Sequence, residues 1–264
     1  MALDVSQLGF GITGSLSHEI VRELAPRVEA AGFRTLWINH GGDGGDSLAS
    51  IAVAASVTTS LRLASGVIPV DRMSAQDIVA SFREKGMPAD RVTIGIGASK
   101  PPSPLDRVRE AAGMIAGELG VPVVVGALGP KMRRLGVREA DGLLLNWLTP
   151  EGARQAMEDK AADLADLPGR EAHVALYIRC ALGEEALPIL EREASRYQGI
   201  PSYAANFRRL GFSALESAVY ANDAEGVRAG LERFIGQVDE PVVRAITATD
   251  SLVDYLALVD AVVG

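Results

Sequence analysis

The strongest constraint on this chain is the regular alternation of short apolar segments with longer amphipathic segments along its length. Eight segments have the composition of buried β-strands, and apolar residues at helical spacing follow most of them. The predicted strands cover residues 8–13, 35–39, 61–67, 91–98, 122–127, 142–147, 173–182 and 242–248. Up to the seventh, successive strands begin roughly 20 to 31 residues apart, as expected for repeated β-α units.

Eight such units predict a closed (β/α)8 TIM barrel, a fold that usually takes about 250 residues; this chain has 264. An open, doubly wound sheet is the alternative, because the order of the strands in the sheet cannot be predicted from the sequence. The long segment 183–241, between the seventh and eighth strands, is predicted to be a helical insertion. No Pro- or Ser-rich boundary divides the chain, so we expect a single domain over residues 1–264.

Composition narrows the class of protein. Hydrophobic residues make up 48% of the chain and aromatic residues only 5%, which favours an aliphatic core of helices on parallel strands. A net charge of −8 argues against nucleic acid as a partner, because phosphate binding needs basic patches. The single cysteine, Cys180, excludes an internal disulfide, and no metal site is predicted. With no signal-like or membrane-spanning segment, we expect a cytoplasmic protein without membrane association.

Residues 9–14, GFGITG, fit the G-x-G-x-x-G pattern of dinucleotide-binding turns. In such proteins the glycines follow the first strand, and an acidic residue ends the second strand. Here Gly9 and Gly11 lie inside the predicted strand, and the second strand leads into His40. We therefore interpret these two glycines as close packing in the barrel wall and Gly14 as part of a tight turn.

In a TIM barrel the active site lies at the C-terminal ends of the strands. His40 follows the second strand and is a candidate proton donor or acceptor; a loop histidine without a role is the alternative. Gly66, in the third strand and followed by Pro69, indicates a bulge against a flat ring or a plain strand exit. Asn146 ends the sixth strand. Its side chain either lines the active-site end of the barrel or serves only in packing and in hydrogen bonds at the start of the next helix.

Residues 125–132, VGALGPKM, form the most phosphate-like feature of the chain. Gly126 and Gly129 leave backbone amides unobstructed, Pro130 begins a helix, and Lys131 adds a positive charge to its first turn. Free amides and the helix dipole together make an anion site. An ordinary Gly-Pro turn is the alternative interpretation.

Four segments together resemble the bacterial luciferase-like superfamily. AGFRTLWINH (31–40) resembles the strand that leads to its active-site histidine, and SLASIAVAASVTTSLRLASGVIPV (47–70) resembles the helix and strand before its bulge. VPVVVGALGPKMRRLGVREADGLLLNWLTPE (121–151) and YQGIPSYAANFRRLGF (197–212) are similar to the branch that uses the deazaflavin coenzyme F420. Methylenetetrahydromethanopterin reductase-like proteins belong to that branch. The resemblance extends over nearly the whole chain.

The resemblance implies a barrel that binds F420 and transfers a hydride between the coenzyme and a small organic substrate. A non-prolyl cis peptide would fall at Gly66–Val67, behind the deazaflavin ring. The coenzyme phosphate would contact amides of Gly126, Ala127 and Gly129, and His40 would lie near the reacting ring. The family also implies a homodimer.

Two departures from the family pattern keep alternatives open. The segment between the fourth and fifth strands is short, and Ala98 stands near the position where sugar-phosphate dehydrogenases of the family carry an acid. A sugar-phosphate substrate is therefore not expected. An FMN-dependent monooxygenase or reductase is the first alternative function, and a barrel that binds a flavin or deazaflavin without catalysis is the second.

Overall fold

The computed structural model describes residues 3–40, 45–98 and 103–264. Its ten strands are β1 (Gly9–Ile12), β2 (Thr35–Ile38), β3 (Arg62–Ser65), β4 (Ile68–Pro69), β5 (Val92–Gly97), β6 (Val123–Gly126), β7 (Gly142–Asn146), β8 (His173–Leu182), β9 (Val219–Ala221) and β10 (Glu240–Ile246). The ten helices are α1 (His18–Ala30), α2 (Ser47–Val57), α3 (Ala75–Glu84), α4 (Pro104–Leu119), α5 (Pro130–Glu139), α6 (Pro150–Leu164), α7 (Leu187–Gln198), α8 (Pro201–Leu210), α9 (Ala224–Glu232) and α10 (Leu252–Val263). Both counts refer to the described residues.

The strands close into a parallel barrel in the order β1-β2-β3-β5-β6-β7-β8-β10, and β10 pairs again with β1. The predicted TIM barrel is thereby confirmed. The short β4 continues the third predicted strand after a break and pairs with β5. The insertion after β8 contains α7 and α8, as expected, and β9, which pairs with the end of β8 and was not predicted.

Two sets of apolar side chains alternate along each strand, because successive residues point to opposite faces. The outward set, for example Phe10 on β1, joins helix residues such as Leu24 and Val28 in the main core. The inward set forms a separate cluster within the barrel, which includes Trp37 and Tyr177. This double burial is why the strands lack a polar face.

The glycines of GFGITG are required by packing. A Cβ atom on Gly9 would lie 2.5 Å from Oε1 of Glu240, and one on Gly11 would lie 3.3 Å from Cα of Arg244. Both residues are buried in β1, and Gly14 lies in the turn that follows. The structure therefore confirms the packing interpretation over a dinucleotide site.

The N-terminal ends of the strands, here called the barrel bottom, are closed around one carboxylate. Glu240 is only 2% exposed and accepts hydrogen bonds from Nε1 of Trp37 and Nε2 of His173, both at 2.8 Å. His173 thus takes part in a structural network at the end opposite to the expected active site. Within the described ranges, no helix combines the length and apolar character needed to cross a bilayer.

Candidate active site at the barrel mouth

The sequence-predicted site residues all lie at or just beyond the C-terminal ends of the strands, here called the barrel mouth. His40 follows β2, Gly66–Val67 separates β3 from β4, Gly126 ends β6, and Asn146 ends β7. All four positions are partly exposed. The glycine-rich segment after His40 falls largely at 41–44, outside the described residues. Parallel strands bring the others to one end of the barrel.

The bulge between β3 and β4 contains the cis peptide bond at Gly66–Val67 that the resemblance implies. The side chain of Val67 packs over three glycines of neighbouring strands. Added Cβ atoms would lie 3.1 Å from Val67 at Gly95, 3.1 Å at Gly97 and 2.9 Å at Gly126. These glycines therefore make room for the bulge, a function that their spacing in the sequence did not reveal.

Gly66 itself lies against Tyr177 of β8, whose hydroxyl oxygen occupies the space that a Cβ at position 66 would need. The Tyr177 side chain is buried, and its hydroxyl has no hydrogen-bond partner among the described residues. Burial raises the pKa of Tyr177 far above its usual range, so the hydroxyl stays protonated and available as a donor. Unpartnered buried hydroxyls are uncommon and call for an explanation.

His40 is half-buried, with Nδ1 3.1 Å from Oγ of Ser47, the first residue of α2. Burial lowers the pKa of His40, and the charge of Arg72 lowers it further, while Asp46 acts in the opposite direction. The imidazole is therefore mainly neutral at pH 7. Since Ser47 engages Nδ1, Nε2 is the nitrogen suited to exchange a proton with a ligand.

Helix α5 begins at Pro130, as predicted, and its N-cap is Gly129, which has no side chain to bond the first turn. The amides of Lys131 and Met132 belong to that first turn and have no carbonyl partner inside the helix. A Cβ on Gly129 would contact no atom within 4 Å. The space beside this helix end is therefore open, and Lys131 is exposed there.

Ala127 departs from its predicted role. Its N–H donates to the carbonyl of Leu144 at 3.4 Å, which continues the β6–β7 ladder, and the residue is buried. Its amide is thus already engaged, and the donors open to an anion at this position are those of the first turn of α5.

Asn146 is at the mouth, but both polar atoms of its side chain are engaged. Oδ1 accepts a hydrogen bond from Nη1 of Arg179, and Nδ2 donates to the hydroxyl of Tyr203 on α8 at 3.3 Å. The guanidinium of Arg179 also stacks on Trp147, 3.9 Å from the ring centroid. Asn146 therefore joins the barrel to its insertion, in addition to any contact with a ligand.

Sequence reasoning missed two arginines of the mouth, Arg179 on β8 and Arg244 on β10. They are direct neighbours in the parallel β8–β10 register and are 1% and 5% exposed. Nε of Arg179 lies 3.0 Å from Oε1 of Glu193 on α7. Burial raises the pKa of Glu193, but the two arginines outweigh it and hold that pKa below its usual value. The available signal was a lone arginine inside each of two apolar strands.

The barrel mouth therefore has two unlike sides. Around β3, β5 and β6 it is lined by backbone, glycines and Val67, which suits one face of a flat apolar ring. Around β7, β8 and β10 it carries amide, hydroxyl and guanidinium groups, which suit polar edges. Among the described residues, no group of histidine, cysteine and carboxylate side chains is arranged to hold a metal ion.

A sequence model of the luciferase-like monooxygenase family matches residues 97–242, more than half of the chain. The chain therefore belongs to the luciferase-like monooxygenase family, and its barrel and mouth are those of an enzyme scaffold. No curated protein sequence matches the chain.

Solved structures share the fold at low sequence identity. An F420-dependent secondary alcohol dehydrogenase in complex with an F420-acetone adduct is 16% identical, with a TM-score of 0.74 over 98% of this chain and 99% of that chain. A coenzyme F420-dependent tetrahydromethanopterin reductase from Methanopyrus kandleri is also 16% identical, with a TM-score of 0.70 over 97% of each chain. The FMN-bound oxygenating constituent of 3,6-diketocamphane monooxygenase from Pseudomonas putida is 12% identical, with a TM-score of 0.68 over 97% of this chain and 96% of that chain.

Proposed function

We propose that this protein is an F420-dependent oxidoreductase that transfers a hydride between the deazaflavin and a small organic substrate. The observation that carries the proposal is the Gly66–Val67 bulge, with Val67 packed over the mouth glycines, beside the uncapped, open N-terminus of α5. A flat ring and a phosphate attached to it fit these two features together. Family membership and the F420-dependent enzymes among the structures of similar fold support the same choice.

The residues of the mouth fit such a coenzyme. The Gly66–Val67 bulge, with Val67 packed over Gly126, would bear one face of the ring. The first-turn amides of α5, with Lys131, would bind the phosphate. When bound, F420 supplies a carbon that accepts or releases the hydride, and the protein supplies orientation and proton management. His40 would hold or move a proton at Nε2.

An FMN-dependent monooxygenase or reductase is the second candidate function. The FMN-bound monooxygenase component among the structures of similar fold supports it, because a flavin also has a flat ring and a phosphate that would fit the bulge and a helix N-terminus. A barrel that binds the coenzyme without catalysis is the third candidate.

Calorimetric titration of the purified protein with F420 and, in parallel, with FMN tests the coenzyme. We expect saturable binding of F420 and far weaker binding of FMN. Preference for FMN would replace the proposal by the second candidate, and binding of neither would refute both.

A carboxylate placed at the end of α5 tests the phosphate site within the same titration. Gly129→Asp should weaken coenzyme binding by on the order of 1–3 kcal/mol, because the new charge would repel the phosphate across a partly exposed gap. Gly117→Asp, on the exposed surface of α4, adds the same charge away from the mouth and is the control. Equal coenzyme affinities of the two variants would show that the phosphate does not bind at the N-terminus of α5.

Replacement of His40 separates an enzyme from a binding protein. With a substrate identified, His40→Ala should reduce kcat roughly 10²- to 10⁴-fold, the usual contribution of a general acid or base. Because the pKa of His40 is lowered, its protonation should reduce the activity of the wild-type protein only at a pH below the ordinary value of about 6.5. This loss on acidification should disappear in His40→Ala. His18→Ala, at the start of α1, is the control. Unchanged turnover in His40→Ala would disprove the catalytic role.

A further inference from the structure

The arginine pair at the barrel mouth carries more positive charge than the surrounding residues balance. Arg179 is paired with Glu193. Arg244, its neighbour in the β8–β10 register, donates from Nη1 only to the carbonyl of Ala245, and its Nε has no partner. Within the described ranges, no carboxylate lies within 4.0 Å of the Arg244 nitrogens. The cluster thus holds two buried guanidinium groups and one carboxylate.

The cluster therefore carries a net positive charge, and part of the hydrogen-bonding capacity of Arg244 is unused. A buried charge without a paired counter-charge loses hydration that nothing replaces, and a like charge on the adjacent strand adds repulsion. Arg244 does not escape by losing its proton. Burial lowers the pKa of Arg244, but Glu193 and the nearby tyrosines together outweigh it, so the net shift is upward. A ligand with one negative charge would balance the cluster.

The position of Arg244 links this charge to the candidate active site. Gly11 lies on β1, the strand between β2 and β10. A Cβ atom on Gly11 would lie 3.3 Å from Cδ of Arg244 and 3.3 Å from Cε1 of Tyr177. The guanidinium stem and the tyrosine ring therefore border one wall of the barrel interior. The Tyr177 hydroxyl, the second unpartnered donor of this wall, lies against Gly66 of the bulge.

We propose that the barrel mouth binds a substrate with a single carboxylate group, held by the guanidinium of Arg244 and the hydroxyl of Tyr177. A carboxylate matches the planar, forked donors of arginine and brings one negative charge, which equals the excess in the cluster. A phosphate dianion would leave a negative excess instead. Naming this anion the substrate rests on the proposed function; the anion site itself does not depend on the coenzyme.

Benzoate and its neutral isostere benzamide are suitable probes, used with the whole chain and without coenzyme. We expect benzoate to raise the Tm of the wild-type protein with increasing concentration and benzamide to have no effect. Arg244→Met, which removes the guanidinium and keeps most of the side-chain volume, should weaken benzoate binding, measured by calorimetry, at least tenfold. Arg196→Met, an exposed arginine of α7 near the same cluster, is the matched control and should retain benzoate binding.

Tyr177→Phe provides a second test that leaves the arginines in place, and it should weaken benzoate binding several-fold. Equal effects of benzoate and benzamide, or benzoate binding unchanged in Arg244→Met, would overturn the proposal. If Arg244→Met weakens only coenzyme binding, the charge serves the coenzyme and the proposal is wrong. Benzoate binding without F420 or FMN binding would refute the proposed function and leave the anion site standing.

Discussion

Glycines at the barrel mouth lie in two different surroundings that the sequence does not distinguish. Gly97 and Gly126 are close to Val67 and make room for its side chain, whereas Gly129 faces open space beside α5. All three occur in similar Gly-x-Gly or Gly-x-x-Gly contexts. Only the position of the bulge, which is set by another strand, separates the packing role from a role in ligand binding.

Alanine substitution should show by the sign of its effect on stability that Gly126 is a packing glycine. Gly126→Ala would place Cβ 2.9 Å from Val67 and should destabilise the fold by about 1–3 kcal/mol, the usual cost of overpacking. Gly113→Ala, in the interior of α4 with no atom within 4 Å, should stabilise it by about 0.5–1 kcal/mol. Urea denaturation of both variants measures the difference. Equal free energies of unfolding would mean that the bulge is not held by this contact.

Among the elements, α1 determines where the third barrel strand begins. Oε1 of Glu29 accepts hydrogen bonds from the N–H groups of Thr59, Ser60 and Leu61, which connect α2 to β3. Partial burial raises the pKa of Glu29, but these bonds outweigh it and lower the pKa to about 2. These bonds hold the start of β3, the strand that leads directly into Gly66–Val67.

Loss of the Glu29 charge should weaken the fold in a pH-dependent manner. The folded-state pKa lies below the ordinary value of about 4.3, so the stabilisation is complete above that value and disappears as the pH falls towards 2. Glu29→Gln should cost about 1–2 kcal/mol at pH 7, a modest figure because the site is only partly buried. Denaturation at pH 7 and pH 3 should show a smaller difference from wild type at the lower pH. Glu23→Gln, exposed on the same helix, is the control, and an equal loss in both variants would contradict the prediction.

The barrel strands were predictable to within a few residues because continuous apolar character is a local property of the sequence. The three-residue β9 was not, since its only distinction is its pairing with the end of β8. The pairing of Arg179 with Arg244 was not predictable for the same reason. Each was visible as a charge in an apolar strand, but their adjacency depends on barrel closure, which brings β8 beside β10.

For the whole molecule, the two ends of the barrel differ in how completely their polar groups are satisfied. At the barrel bottom, the carboxylate of Glu240 has partners in Trp37 and His173. At the barrel mouth, Tyr177 and Arg244 keep donors without partners among the described residues. Stability at one end and ligand binding at the other is the usual division in TIM-barrel enzymes.

The two tryptophans of the chain lie at these two ends. The indole N–H of Trp37 is bonded to Glu240 at the barrel bottom, whereas Trp147 lies under the guanidinium of Arg179 at the barrel mouth. Indole emission responds to nearby charge, so a ligand that rearranges the mouth should change the fluorescence of Trp147. The ring of Trp37 meets Tyr177 edge-on, 6.1 Å between ring centroids, so its emission should report a ligand that contacts Tyr177. The protein thus contains two optical reporters for different parts of its candidate site.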